Sequence, residues 1–159
     1  MPEPGRVTLH TSVEIPVPAA DVWALICDWA GMLRWWLTAA EGGSPGPTLV
    51  SCDLIGEPGA VPRTRRMTLS NGAVAAETIC YQNDETRRIS YLKSDEPGIT
   101  GYVATTYVDV RADGGCTVHL TAMFDVTDPA GQAAASARFE AVYTAMFDGY
   151  RRYFSRSGR

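Results

Sequence analysis

Hydrophobic and polar residues alternate along most of the chain, and this period of two is typical of β-strands that bury one face. The first such segment places Val13 and Ile15 on one side of the chain and Ser12 and Glu14 on the other. Clusters of turn residues such as Asn71-Gly72 separate the later segments. The pattern predicts strands at residues 7–17, 48–55, 61–69, 73–82, 86–93, 100–111 and 116–126.

Helical spacing replaces this alternation in two parts of the chain. Residues 18–21 open a short helix with a proline, which is tolerated in a first turn, and a second short helix is predicted from Met32 to Ala39. Near the end of the chain, Asp128 is a suitable N-cap for a long helix from Pro129 to about Phe154. The apolar stripe of this helix contains Phe139, Val142, Tyr143, Met146, Phe147, Tyr150 and Phe154.

These elements predict an α+β fold that forms a single domain over residues 1–159. An antiparallel sheet of about seven strands cannot bury one face by itself. The long C-terminal helix presents a wide apolar stripe that can cover that face. We therefore expect a curved sheet around the long helix, with the two short helices closing one end and leaving an internal cavity.

Composition and charge exclude several classes of function. The chain has 159 residues and a net charge of −4, so it lacks the basic surface that nucleic-acid binding needs. No apolar run is long enough to span a bilayer, and the N-terminus lacks the apolar core of a signal peptide, which predicts a cytoplasmic protein. The four cysteines form no CxxC pair, and no dinucleotide-binding loop or P-loop occurs. We therefore expect no metal and no cofactor. The sequence does not decide whether the protein is a monomer or a homodimer.

The hairpin around Asn71-Gly72 carries the sharpest candidate chemistry, and its loop length decides which arginine faces inward. A two-residue loop pairs Arg66 with Glu77, whereas a three-residue loop with Gly72 in the left-handed conformation pairs Arg65 with Glu77. The second register gives the more apolar face and fits a cavity wall better. An arginine and a glutamate on such a face must pair with each other or stay solvated.

Several segments carry a family resemblance that spans almost the whole chain. They are the stretch Val13–Trp23, the pair Arg34-Trp35, the pattern Gly59…Arg65…Gly72…Glu77, and the aromatic residues Tyr91, Tyr102, Phe124 and Tyr143. In these residues the chain resembles the START/Bet v1-like superfamily (SRPBCC), and within it the polyketide cyclase/dehydrase-like group. The resemblance implies the helix-grip fold, a hydrophobic small molecule bound between the long helix and the sheet, and an inward arginine and glutamate. Some members catalyse cyclisation, aromatisation or dehydration without a cofactor, whereas others only bind or carry ligands.

Arg65, Glu77 and Tyr102 are the candidate catalytic residues of such a cavity. Arg65 can stabilise negative charge that develops on a ligand oxygen, Glu77 can act as a base, and a tyrosine hydroxyl can donate to a ligand oxygen. His10 and His119 face outward by strand alternation, so acid–base chemistry falls to Glu77 and the tyrosines. The expected ligand contacts are Trp35, Met67, Tyr81, Tyr91, Thr106, Leu120, Phe124, Tyr143, Met146 and Phe147.

The sequence therefore predicts a cofactor-independent cyclase or dehydratase that acts on a hydrophobic, polyketide-like or aromatic small molecule. The alternative is a non-catalytic binding or carrier protein for a hydrophobic metabolite or lipid. A third hypothesis is a modulator whose ligand alters a protein contact at the Trp35–Trp36 helix. The polar groups on the inner face favour the enzyme, and the lack of an inward histidine favours the carrier.

Overall fold

Seven antiparallel strands and a long C-terminal helix make up most of the structure. The computed structural model describes residues 5–38, 41–43 and 46–156. The strands are β1 (Gly5–Ile15), β2 (Leu49–Ile55), β3 (Arg63–Leu69), β4 (Val74–Asn83), β5 (Arg88–Lys93), β6 (Ile99–Val110) and β7 (Cys116–Val126), and the α-helices are α1 (Ala19–Cys27) and α2 (Gln132–Arg156).

The strands form one sheet in the order β1-β7-β6-β5-β4-β3-β2. Strands β2 to β7 follow one another as antiparallel neighbours, and β1 pairs with β7 at the far side. Because β1 and β2 lie on opposite edges, the segment that contains α1 must cross from one edge to the other. The curved sheet grips α2 on its inner face, which confirms the predicted α+β arrangement.

Helix α2 begins at the predicted capping signal. The Asp128 carboxylate accepts a hydrogen bond from the Ala130 amide at 3.1 Å, and a 3-10 turn at Pro129–Gly131 leads into the helix. All residues of the predicted apolar stripe are buried except Val142, which borders the cavity described below. None of the helices in the described part of the chain combines the length and apolar composition needed to cross a bilayer.

The second short helix was predicted too long. Met32–Arg34 form one 3-10 turn, and the predicted end at Ala39 lies outside the described residues. Trp35 instead packs against Tyr150 of α2, with ring centroids 4.7 Å apart. The Trp35 carbonyl comes so close to α2 that a Cβ at Gly149 would lie 2.3 Å from it, so this contact requires glycine. Packing against α2 therefore determines the backbone after the turn.

Candidate functional site

A cavity of about 220 Å³ lies between α2 and the inner face of strands β3 to β6. Its wall is mostly apolar, with a few polar side chains among the apolar ones, which is the usual composition of a small-molecule site. The lining residues are Met32, Trp36, Leu49, Arg65, Met67, Leu69, Ala75, Glu77, Tyr91, Lys93, Glu96, Tyr102, Arg138, Phe139, Val142, Tyr143 and Met146.

The β3–β4 hairpin brings Arg65 and Glu77 side by side on this inner face. The Leu69 amide donates to the Ala73 carbonyl at 2.9 Å, so the loop has three residues, and Gly72 has a positive φ of 86°. Arg65 is then the register partner of Glu77, as the three-residue loop predicts. The alternative two-residue loop is excluded.

Arg65 and Glu77 form a buried ion pair that rests on an indole ring. Their side chains are 5% and 10% exposed, and the Arg65 Nη2 and Glu77 Oε1 atoms are 2.7 Å apart, while Arg65 Nε donates to the same oxygen at 2.8 Å. The guanidinium carbon of Arg65 lies 3.7 Å from the centroid of the Trp29 ring. The Trp29 indole N–H in turn donates to the Glu77 carbonyl at 2.9 Å. Trp29 therefore holds both partners in place.

The charge on Arg65 is stabilised in this pair, which leaves one carboxylate oxygen of Glu77 available. Burial opposes the charge on Arg65, but the Glu77 carboxylate outweighs this effect and raises the pKa of the guanidinium above its ordinary value. Within the described residues, no hydrogen bond reaches Glu77 Oε2, and the buried polar side-chain atoms without a partner are Gln82 Oε1 and His119 Nδ1. Glu77 lines the cavity, and its Oε2 oxygen takes no part in the hydrogen bond from Arg65.

Three tyrosines add hydroxyl groups to the cavity wall. Burial raises the pKa of Tyr91, Tyr102 and Tyr143 above the ordinary value, so all three stay protonated at neutral pH. The hydroxyls of Tyr102 and Tyr143 are 2.7 Å apart and share one hydrogen bond. Since two hydroxyls carry two hydrogens, this pair keeps one O–H that can be donated to a ligand.

A second group of charged side chains lines the cavity beside the first. Lys93 on β5 is the register partner of Glu77, and its ammonium donates to Glu96 at 2.6 Å. Arg138 of α2 donates to the other carboxylate oxygen of Glu96. Partial burial opposes ionisation of Glu96, but the hydrogen bonds from Lys93 and Arg138 outweigh it and hold the pKa of this carboxyl below its ordinary value.

The structure brings seven of the predicted site residues together at the cavity. The three proposed catalytic residues lie there with four of the proposed ligand contacts: Arg65, Glu77, Tyr102, Met67, Tyr91, Tyr143 and Met146.

Two aromatic residues face away from the cavity, contrary to prediction. Tyr81 is 45% exposed, because a register irregularity between Ile79 and Tyr81 shifts the strand by one residue, and such a shift moves a side chain to the other face. Trp35 is buried against α2, and its neighbour Trp36 lines the cavity instead.

Four further predicted contacts belong to the packed core. Thr106, Leu120 and Phe124 are buried on β6 and β7, where α2 packs directly on the sheet, with Phe139 and Phe124 ring centroids 4.8 Å apart. Phe147 follows Met146 on α2 and therefore points about 100° further round the helix, where it lies beside Val13 of β1. Residues of β3 to β6 line the cavity, and none of the described residues of β7 does.

The residues of the site that were not predicted from the sequence include Trp29, Trp36, Lys93, Glu96 and Arg138. Strand alternation carried a signal for Lys93, because it lies two residues after the inward Tyr91 on the same strand. Glu96 follows β5 in a turn and meets Arg138 from a distant part of the chain, so no local pattern indicates this contact.

Both histidines lie outside the cavity. His119 stacks on Tyr107 and His10 on the outer face of the sheet, with centroid distances of 4.5 and 5.7 Å, which confirms the predicted outward orientation of both histidines. Among the described residues, no group of three His, Cys, Asp or Glu side chains is arranged to hold a metal ion.

The chain matches a known protein family over almost its whole length. A family model described as polyketide cyclase/dehydrase and lipid transport matches residues 6–155. A solution structure of a protein from Thermobifida fusca is 30% identical, with a TM-score of 0.70 and 93% of each chain covered. No curated protein matches the chain.

Two more distant structures show the same fold. Norcoclaurine synthase from Thalictrum flavum, solved with dopamine and hydroxybenzaldehyde, is 18% identical, with a TM-score of 0.72; 96% of this chain and 88% of that chain are covered. Ara h 8.0201 is 16% identical, with a TM-score of 0.74, and covers 96% of this chain and 99% of its own. The architecture is thus the Bet v1-like helix grip.

Proposed function

The chain belongs to the polyketide cyclase/dehydrase and lipid transport family, and we propose that it is a cofactor-independent cyclase or dehydratase acting on a small polyketide-like or aromatic carbonyl compound. The observation that carries this proposal is the Arg65–Glu77 pair on the wall of an otherwise apolar cavity. A buried ion pair is weak support for stability by itself. A role in ligand chemistry accounts for its position.

In the proposed reaction, Glu77 takes a proton from the carbon next to a ligand carbonyl. Its Oε2 oxygen, which accepts no hydrogen bond from the described residues, is the accepting atom. The electron pair of the broken C–H bond forms an enolate, whose oxygen accepts the spare O–H of the Tyr102–Tyr143 pair. Arg65 donates hydrogen bonds to the other oxygen of Glu77 and so orients the base, and it stabilises negative charge in the same region of the cavity.

The enolate then closes a ring or completes a dehydration. In an aldol closure, its carbon attacks a second carbonyl of the same molecule, and the new alkoxide takes the proton held by Glu77, which restores the carboxylate. In a dehydration, a hydroxyl leaves from the neighbouring carbon, and the proton held by Glu77 departs with it as water. Both reactions are redox-neutral, and a cavity that folds the substrate would supply much of the rate.

The cavity volume supports a compact substrate. About 220 Å³ is less than the ~300–1,000 Å³ of pockets for drug-sized ligands. The distantly similar norcoclaurine synthase was solved with dopamine and hydroxybenzaldehyde, both small aromatic molecules. A molecule with one or two rings, or a short chain that closes to a ring, is therefore the class to test first.

A binding or carrier role for a hydrophobic metabolite is the second candidate. It is favoured by the position of both histidines on the outer face and by the raised pKa of the cavity tyrosines, which keeps them from acting as bases. Glu77 is then the sole candidate base among the residues discussed for catalysis.

Incubation with a metabolite extract of the source cells separates the two candidates. Native mass spectrometry identifies what binds, and liquid chromatography with mass spectrometry identifies what changes. The enzyme proposal predicts an isomer, or a product one water lighter, with wild type and with Asp53→Asn, and its loss with Glu77→Gln. A compound that binds and is released unchanged supports the carrier and contradicts the enzyme.

A further inference from the structure

The charged side chains that line the cavity alternate between positive and negative along a series that runs from β3 to α2. Arg65, Glu77 and Lys93 are register partners on β3, β4 and β5, so they form one row across the inner face. Directly opposed residues of neighbouring strands have Cβ atoms about 4.5–5.5 Å apart. Glu96 continues the series from Lys93, and Arg138 follows Glu96.

This series leaves one positive charge without a counterpart. It contains three cations and two carboxylates, whereas the whole chain has a formal net charge of −4. The cavity therefore has the opposite sign to the protein. An apolar cavity with a surplus cation favours a ligand that brings one negative charge, because a hydrogen bond between ionised partners is about twice as strong as one between neutral partners.

Lys93 is the cation with unused hydrogen-bonding capacity. Its side chain is 14% exposed and lines the cavity. An ammonium has three N–H donors, and among the described residues its one hydrogen bond goes to Glu96. The same carboxylate also accepts a hydrogen bond from Arg138, so Glu96 is the counter-ion of both cations.

Glu96 and Arg138 mark the entrance of the cavity. Both also line a surface groove of about 410 Å³ between the start of β6 and the start of α2. The Arg138 side chain is 52% exposed, so its charge reaches solvent and can attract an anion before it enters. The Glu96–Arg138 pair thus separates the cavity from the groove.

We propose that the ligand is a hydrophobic monoanion, and that the Lys93 ammonium binds the carboxylate of this ligand at the cavity entrance. The proposal rests on the proposed function in taking the cavity as the binding site. It adds that the apolar part of the ligand points inward to Glu77 and the tyrosines. The reacting carbonyl and the carboxylate are then at opposite ends of the substrate.

A pair of probes that differ in charge tests this directly. 3-Phenylpropanoate and 3-phenylpropanamide have the same shape, and at pH 7 the first is an anion and the second is neutral. We expect an NMR titration to give at least about tenfold tighter binding of the acid to the wild type. Lys93→Met should reduce the affinity for the acid to that for the amide and leave the amide unchanged. The exposed Arg66→Gln should change neither affinity, and thermal melts verify that each variant is folded.

The outcomes also separate this proposal from the proposed function. Equal affinity of wild type for both compounds, or a preference that survives in Lys93→Met, overturns the anion site while the cavity stays a binding site. Failure of both compounds to bind the wild type contradicts the anion site and the small-molecule cavity together. Loss of turnover in Glu77→Gln is measured independently with the substrate from the extract.

Discussion

Arg65 and Arg66 are consecutive residues of β3, and each lies near a carboxylate of a neighbouring strand. Arg65 and Glu77 are 5% and 10% exposed and approach to 2.7 Å on the inner face. Arg66 and Asp53 are 53% and 56% exposed and approach to 3.6 Å on the outer face. The two pairs share their chemistry and differ in surroundings, so the comparison isolates what burial does to an ion pair.

Burial changes the consequences of losing one partner. An exposed pair is stabilised weakly because water solvates both charges when they separate. A buried pair has no such substitute, since the remaining charge stays in a low-dielectric environment. The inner pair is therefore sensitive to single substitutions, and the strand that carries both pairs provides its own control.

The largest expected effect is that of Glu77→Leu. It leaves Arg65 charged, in a buried position and without its counter-ion, which should lower the free energy of unfolding by about 3–5 kcal/mol. Urea denaturation followed by circular dichroism measures this change. A loss under about 1 kcal/mol would show that the arginine is solvated, in conflict with the buried geometry.

The Tyr102–Tyr143 pair extends the comparison to buried groups without charge. Either Tyr→Phe variant alone leaves one buried hydroxyl without its partner and should cost about 1–2 kcal/mol. The double variant removes both hydroxyls and should cost less than the sum of the single variants, with a coupling of at least about 0.5 kcal/mol. Additive losses in a double-mutant cycle would mean that the two hydroxyls do not depend on each other.

Glu96 has intermediate exposure, and its effect should depend on pH. Its pKa lies below the ordinary value of 4.5 in the folded protein, where Lys93 and Arg138 overcome the opposing effect of burial. The stability from this shift is present above the unfolded pKa and is lost as the pH falls through the folded one. The free energy of unfolding of wild type should therefore fall more steeply below pH 4.5 than that of Glu96→Gln. Urea denaturation at a series of pH values measures this difference. If the free energies of unfolding of the two proteins fell equally with pH, Glu96 would make no such contribution.

Asp53→Asn should have the smallest effect. Its partner Arg66 remains solvated, so the free energy of unfolding should change by less than about 0.5 kcal/mol. The same denaturation experiment measures it. A cost near that of Glu77→Leu would remove the distinction between the two faces of β3.

Local rules of sequence were sufficient for the architecture and for the central pair. The more apolar inner face favoured the three-residue loop ending at Gly72, which pairs Arg65 with Glu77, and the structure excluded the two-residue alternative. The capping signal at Asp128 located the start of the long helix. These features depend on neighbours along the chain, and a single sequence contains that information.

Features that depend on distant segments could not be derived in this way. Leu120 and Phe124 alternate correctly and face inward, but α2 covers them directly. Whether helix or cavity covers an inner-face residue is decided by how α2 lies on the sheet. Tyr81 was misplaced by a strand irregularity without a glycine signal, and the Glu96–Arg138 contact joins elements distant in sequence.

The most direct test of the account uses the double variant Arg65→Met/Glu77→Leu. Ligand chemistry explains why this pair is present, because apolar residues of similar volume often replace a buried ion pair without loss of stability. Urea denaturation and product formation from the extract are measured on the same sample. We predict a free energy of unfolding within about 1 kcal/mol of wild type and no product. Retained product formation, or a loss of stability as large as that of Glu77→Leu, would contradict the account.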